Sequence, residues 1–207
     1  MAEIVLLGGG GHARVVLAAL VRLGHRVVGY AAPSPEGACV EVPYLGRDDD
    51  VLGLLEACEL SAVLGVGKTS VDDGRMRLMA TYETAGFTFP ALVAPNATVH
   101  AATELGSGTI VLDGAVVVTG SKLGRGCIVN TNASVDHDCR LGHNVHVAPG
   151  ATVCGDVAIG ANCVIGAGAT IIPGIRLCAG VLIGAGATVV DDITEAGTYR
   201  GTPAGRV

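Results

Sequence analysis

From Val93 to Val189 every sixth residue is Val, Leu or Ile, seventeen positions in one phase with no insertion. A second pattern is locked to the first. The residue two places earlier is usually small, as at Thr103, Thr109, Ala115, Ser121, Cys127, Ala133, Cys139, Ala151, Cys163, Ala169 and Ala187. Glycine often follows the aliphatic residue, at Gly106, Gly124, Gly142, Gly160, Gly166 and Gly184. Neither the 3.6-residue period of an α-helix nor the alternation of an ordinary strand generates a period of six. A β-sandwich would not hold one phase over so long a run. Self-similarity of this kind marks a solenoid, and a hexapeptide period marks a parallel β-helix.

Each hexapeptide is then one flat strand and one corner. The aliphatic side chain points inward, and the small residue lets the turn close beside it. Three hexapeptides make a triangular coil of about 18 residues, and coils stack at the strand spacing of ~4.8 Å, with about five between Val93 and Val189. Residues 18 apart should therefore lie directly over one another.

The first 90 residues follow a different grammar. Strands are expected at Glu3–Leu7, Arg26–Tyr30 and Ser61–Val66, and helices at His12–Leu23 and Val71–Ala85, with a further short helix from Asp48–Asp50 through Cys58. That alternation predicts a small Rossmann-like α/β unit with a parallel sheet and helices on both faces. The expected organisation is residues 1–90 as an α/β domain and 91–207 as the β-helix.

Composition narrows the partners. The formal charge is −6 and no basic stripe occurs, which argues against nucleic acid. With no Trp and two Phe, the core must be layers of Val, Ile, Leu and Ala. No basic segment precedes the first apolar run, so it reads as a strand rather than a signal peptide. No apolar stretch of spanning length lacks Gly, Pro or charge, so no membrane span is expected. Seven Cys without a CxxC pair suggest reduced thiols in a cytoplasmic protein.

Several marks sit on this frame: Gly8-Gly9-Gly10-Gly11-His12-Ala13, Asn130-Thr131, Val135-Asp136-His137-Asp138-Cys139, His146, Gly155, and the closing Gly201-Thr202-Pro203-Ala204. Together with the repeat they resemble the hexapeptide-repeat acyltransferases. The combination with a short N-terminal α/β unit is similar to the sugar O-acyltransferase family of the sialic acid O-acetyltransferase type. That family includes N-acetyltransferases of nucleotide-linked 4-amino sugars of the UDP-bacillosamine and perosamine kind. The resemblance implies a left-handed β-helix, acetyl-CoA as co-substrate, a nucleotide-sugar acceptor held by the N-terminal domain, and a homotrimer with active sites between subunits.

Acetylating an amine or a hydroxyl needs a base that takes a proton as the nucleophile attacks a thioester. Neutral imidazole suits this near pH 7. His137 lies two places after inward Val135, so it should stand on the outside of its coil, and Asp138 could orient its ring. The resemblance makes His137 the general base and Asp138 its partner, although the family often carries Glu there. Gly155 is 18 residues on, so its amide should lie beside His137 and could meet a developing oxyanion. His146, placed near a corner, matches the family histidine that contacts the acetyl group; by residue type alone it could equally be a solvated side chain. Ala167 and Ala185, again 18 apart and small, match positions that contact CoA.

Zinc is the rival for the histidines. His100 and His137 are 37 apart, off a two-coil 36, and no histidine follows His137 where a third ligand belongs. Cys139 shares its inward slot with Cys127 and Cys163, so packing explains it. No metal is expected.

The glycine-rich start has the outline of a dinucleotide fingerprint, strand then Gly8-x-Gly10-x-x-Ala13 then helix. No acid follows the second strand before Glu36, and the unit is short, so NAD is not expected. Amides at a helix start still suit a phosphate. The resemblance assigns Gly10 and His12 to the nucleotide-sugar and Asn130 to the sugar. Lys68 could meet a diphosphate or be a surface lysine. The leading expectation is therefore an acetyl-CoA-dependent N-acetyltransferase of a nucleotide-linked 4-amino sugar. The alternatives are a sugar O-acetyltransferase of the sialic acid type and a non-catalytic β-helix scaffold.

Overall fold

The computed structural model describes residues 3–54 and 60–207. The N-terminal unit runs β1 (Glu3–Leu7), α1 (Gly11–Arg22), β2 (Arg26–Ala31), β3 (Tyr44–Gly46), α2 (Asp48–Leu54), β4 (Ser61–Leu64) and α3 (Gly74–Thr84). Its sheet is parallel in the order β3-β2-β1-β4. The central strand β1 is covered on both sides, as parallel strands are. Ile4 and Leu6 pack with Val16, Leu17 and Leu20 of α1, and the alternate residues Val5 and Leu7 pack with Val51, Met79 and Tyr82 of α2 and α3.

The described elements depart from the sequence expectation in places, and β4 ends at Leu64, not Val66. The edge strand β3 is only three residues long and carries no usable period. The helix expected from Asp48 runs to Leu54, and its expected continuation through Cys58 lies outside the described residues. The third helix starts at Gly74, not Val71, because the Asp72 carboxylate accepts the Gly74 N–H at 2.9 Å and marks the helix entry.

From Leu92 onward the chain winds a left-handed β-helix with three sheet faces. The first face holds Leu92–Val93, Ile110–Val111, Ile128–Val129, His146–Val147, Val164–Ile165 and Val181–Ile183. The second runs from Thr98–Val99 to Thr188–Val189, and the third from Glu104–Leu105 to Arg176–Leu177. Register follows the eighteen-residue rule: Lys122 pairs Arg140, Ile128 pairs His146, and Ser134 pairs Thr152. The aliphatic column and the small column both face inward, and Val135, Cys127, Cys139 and Cys163 are wholly buried. The last coil is two residues shorter, with Leu182 opposite Thr198 and Leu177 opposite Ile193.

A third column explains how the corners close. Every sixth residue from Ala102 to Gly186 is left-handed, with φ between 55° and 78°. All but Ala102 are Gly, Asn or Asp, the types that adopt this region at least cost. The column of Gly106, Gly124 and Gly142 has another cause. A Cβ on any of them would lie 2.6–2.7 Å from backbone of the next coil.

The two units share an apolar junction. Leu92, Ala94, Ile110 and Leu112 of the β-helix join the same buried cluster as Ile4, Leu6, Ala13 and Val16. The outward side of the first face, which would otherwise meet water, is thereby covered. No helix among the described residues is long and apolar enough to cross a membrane.

Candidate active site

His137 follows the second-face strand Ser134–Val135 and stands at the corner leading to the third face. Backbone bonds fix its position: Asp136 N–H donates to Val153 O, and Asp156 N–H donates to His137 O, both at 2.9 Å. Asp138 is the left-handed corner residue, with φ of 62°. Its Oδ2 lies 2.9 Å from His137 Nδ1, and the His137 side chain is 55% exposed. The Asp138 contact, helped by the charges of Asp136, Asp138 and Asp156, raises the imidazole above its ordinary pKa. With Nδ1–H donating to the carboxylate, the lone pair is on Nε2.

Gly155 lies one coil further on, directly under the ring. A Cβ there would sit 2.5 Å from His137 Nε2 and 2.6 Å from Cε1. No backbone carbonyl among the described residues accepts the Gly155 N–H. Asp136, His137, Cys154, Gly155, Asp156, Pro173 and Gly174 line a cleft of about 420 Å³. A base with a free nitrogen, a carboxylate behind it and an open amide beside it are the parts needed for proton removal and oxyanion stabilisation. A larger cleft of about 660 Å³ crosses the third face over Gly124, Gly142, Lys122 and Arg140. It has no base–carboxylate pair in its lining and is the weaker candidate for the reacting centre.

His146 is not at a corner. It is the outward residue of a first-face strand, and the segment from Gly65 to Asp73 covers it, leaving it 8% exposed. Its Nδ1 lies 2.6 Å from Lys68 O, a group that only accepts, so Nδ1 carries the proton. Nε2 accepts from Asn130 Nδ2 at 3.0 Å. Burial lowers its pKa to about 4, so it is neutral at pH 7. Asn130 Oδ1 in turn accepts Thr131 N–H at 2.8 Å.

Lys68 is 5% exposed, which removes the surface-lysine reading. Its Nζ donates to Asp72 O at 2.8 Å, and burial lowers its pKa. His12 packs on Gly67, where a Cβ would lie 3.3 Å from His12 Cβ. Burial, then Arg75 and His146, lower its pKa to about 4, and its buried Nε2 has no partner among the described residues. Gly10 caps α1 in an open position with no side-chain cap, and nothing lies within 4 Å of a Cβ built on it. Ala167 and Ala185 are exposed at the corner between the first and second faces, one coil apart, with Gly186 N–H donating to Ala167 O at 2.9 Å.

The structure thus sorts the candidates into groups. His12, Lys68, Asn130 and His146 gather on the first face. His137, Asp138 and Gly155 gather at the corner between second and third faces, and Ala167 and Ala185 at the opposite edge of the second face. One chain does not bring the three together. Two residues outside the sequence reading, Arg75 and Asn144, are deeply buried beside the first-face group, at 3% and 0% exposure. Asn144 had a signal in the left-handed column; Arg75, on the first turn of α3, had none. Among the described residues no group of His, Cys, Asp or Glu is arranged to hold a metal ion. Cys127, Cys139 and Cys163 point inward, and the exposed His143 accepts Arg125 N–H at 3.4 Å through Nδ1.

Comparison with known proteins finds family matches in both parts of the chain. The family described as PglD N-terminal domain matches residues 3–77, and the family described as Bacterial transferase hexapeptide (six repeats) matches residues 120–155 and 156–191. A search of curated protein sequences finds no match. The acetyltransferase domain of PglB from Neisseria gonorrhoeae is 33% identical, with 100% of both chains covered and a TM-score of 0.94. The same domain in complex with acetyl coenzyme A is 34% identical over 99% of this chain and 98% of that chain, with a TM-score of 0.93. PerB from Caulobacter crescentus, in complex with CoA and GDP-perosamine, is 33% identical over 100% of this chain and 98% of that chain, with a TM-score of 0.89. The chain is therefore an acetyltransferase and belongs to the left-handed β-helix family of nucleotide-amino-sugar N-acetyltransferases.

Proposed function

We propose that the protein transfers the acetyl group of acetyl-CoA to the 4-amino group of a nucleotide-linked amino sugar, with His137 as general base. One observation carries the reading: His137 Nε2, its Nδ1 tied to Asp138, faces the side-chain-free wall at Gly155. The cleft beside them has room for a thioester, and the absence of a side chain at Gly155 lets the imidazole lie against the backbone there, since a Cβ would sit 2.5 Å from Nε2.

His137 Nε2 takes the proton from the acceptor nitrogen as its lone pair attacks the thioester carbonyl. Asp138 holds the ring tautomer and steadies the imidazolium. The Gly155 N–H donates to the carbonyl oxygen as it becomes negative. His137 then returns its proton to the departing thiolate, so the products are the amide and CoA. No covalent acyl-enzyme is needed. Cys154, the thiol in the cleft, has a pKa raised by burial, which leaves it a poor nucleophile.

On this reading Gly10, His12, Lys68 and Asn130 hold the nucleotide-sugar, and Ala167 and Ala185 let CoA approach the backbone. These residues lie across the second face from His137, so a complete site needs a neighbouring copy, and a homotrimer meets that need. His146, paired on both nitrogens, offers no free ring edge to an acetyl group and instead holds Asn130 and the Lys68 backbone in place. A cytoplasmic location accords with the co-substrate and with the buried thiols Cys127, Cys139 and Cys163.

The test is direct. The protein is incubated with acetyl-CoA and a panel of UDP-, GDP- and dTDP-linked 4-amino sugars, and thiol release is followed. Turnover with at least one of them, lost in His137→Ala, is expected. No turnover with any, or full activity of the variant, overturns the proposal.

A further inference from the structure

The segment Gly65–Asp73 leaves β4 and enters α3 without regular structure, and it carries Lys68 past His12. Three of its carbonyls are satisfied by side chains. Arg75 Nε donates to Val66 O at 2.8 Å, His146 Nδ1 to Lys68 O at 2.6 Å, and Asn144 Nδ2 to Asp72 O at 3.0 Å. Two of these donors belong to the β-helix. The third, Arg75, is itself moored there: Nη1 donates to Gly126 O at 2.6 Å and to Asn144 Oδ1 at 3.0 Å. Asn144 closes the set by donating to Asn162 Oδ1 at 2.8 Å.

Arg75 makes this arrangement unusual. Arg75 is 3% exposed, burial lowers its pKa only to about 10, and it therefore stays charged. Its hydrogen bonds go to carbonyl oxygens and an amide, not to a carboxylate, and Nη2 has no partner among the described residues. Burying a charge with no carboxylate hydrogen-bonded to it is costly, and a methionine would fill similar space without that penalty. What the guanidinium adds is direction, because its planar fork reaches two chain segments at once.

We propose that Arg75 and Asn144 are positioning residues that lock the Gly65–Asp73 segment to the β-helix, fixing Lys68 and His12 for the nucleotide-sugar. The inference rests on the substrate roles of Lys68 and His12 given above. The β-helix face is the template, and the α/β unit's substrate loop takes its shape from it.

The experiment compares the full-length protein with Arg75→Met, Arg75→Lys and Asn144→Gly, the last of which deletes the amide at a left-handed position that glycine tolerates. Two readouts are taken on each: hydrogen exchange across residues 65–73, and KM for the active nucleotide-sugar against KM for acetyl-CoA. In Arg75→Met and Asn144→Gly, exchange in the loop should rise at least tenfold while the β-helix strands are unchanged. KM for the nucleotide-sugar should rise about tenfold, the equivalent of ~1.4 kcal/mol, with KM for acetyl-CoA within twofold. Arg75→Lys, which keeps the charge but not the fork, should recover only part of the loss. Unchanged loop exchange overturns the lock. A loosened loop with an unchanged nucleotide-sugar KM, or with both KM values rising together, overturns the positioning role. If the unaltered protein turns over none of the sugars, the functional reading fails and the substrate role of the lock with it, while loop exchange still judges the lock itself.

Discussion

His137 and His146 are nine residues apart on one solenoid and have opposite chemistry. His137 stands at a corner, half in solvent, with a carboxylate on Nδ1, and its pKa is raised. His146 stands mid-face under a loop, with a carbonyl on Nδ1, and its pKa is lowered to about 4. Nine residues is half a coil, so the two rings leave on different faces. The corner that carries His137 is open to solvent, and the first face is closed by the N-terminal unit. On the proposed reading the same side chain is a proton acceptor in one place and a neutral structural bridge in the other, and the group on Nδ1 together with the covering of the face decides which.

Replacing the exposed ring should separate the roles most sharply. His137→Ala is expected to lower kcat by about 10²–10⁴-fold, the usual worth of a positioned acid–base group, with an unchanged melting temperature. A fall in melting temperature of several degrees would show that His137 carries structure as well. The buried ring should show the reverse, in stability. The folded pKa of about 4 lies below the ordinary 6.5, so the unfolded chain binds more protons between those values. Stability is complete above pH 6.5 and is lost as pH falls towards 4, by about 3 kcal/mol for His146. Urea unfolding at pH 7 and pH 4.5 checks this: His146→Leu should lower stability at pH 7 but flatten the difference between the two conditions. A variant with the parent's pH slope would remove His146 from the account.

Gly155→Ala tests the wall beneath His137. Its Cβ must push the exposed ring aside, so kcat should fall roughly ten- to a hundredfold with KM for either substrate little changed, the cost of a displaced base. Asp138→Asn is the mildest change, since Asn also suits the left-handed corner. It removes the charge that raises the imidazole pKa, so the acidic limb of the kcat/KM profile should move to lower pH, with about a tenfold loss of rate. An acidic limb that stays in place would mean that Asp138 serves the corner and not the base.

The β-helix was legible because its pattern is enforced at every coil. An inward position holds an aliphatic residue, and a misplacement would bury a polar group or leave a void. The same regularity made the pairing of His137 with Gly155 readable from an interval of 18. The left-handed column was equally present, in Gly120, Gly126, Asn132, Asp138 and Asn144, and it shows that Asp138 answers a backbone demand as well as a chemical one. The N-terminal unit was readable only where strands and helices are long. β3 has three residues and no period. The covering of His146 and Lys68 depends on two units meeting, and no local pattern in either one encodes that contact. Arg75 shows the limit most clearly: as a lone arginine at a helix start it resembles any solvated charge, and only the docked face buries it.

The uninterrupted coil also restricts how such a chain can change length. Six added residues after Leu141 would turn every later residue by one face, taking Gly155 away from His137 and carrying the buried Val164 off the first face. Eighteen added residues would insert a whole storey, restoring the faces but parting the two residues by a further ~4.8 Å. Growth can be absorbed beyond the reacting coils, where the last turn has already lost two residues, but between His137 and Gly155 the spacing behaves as a fixed gauge.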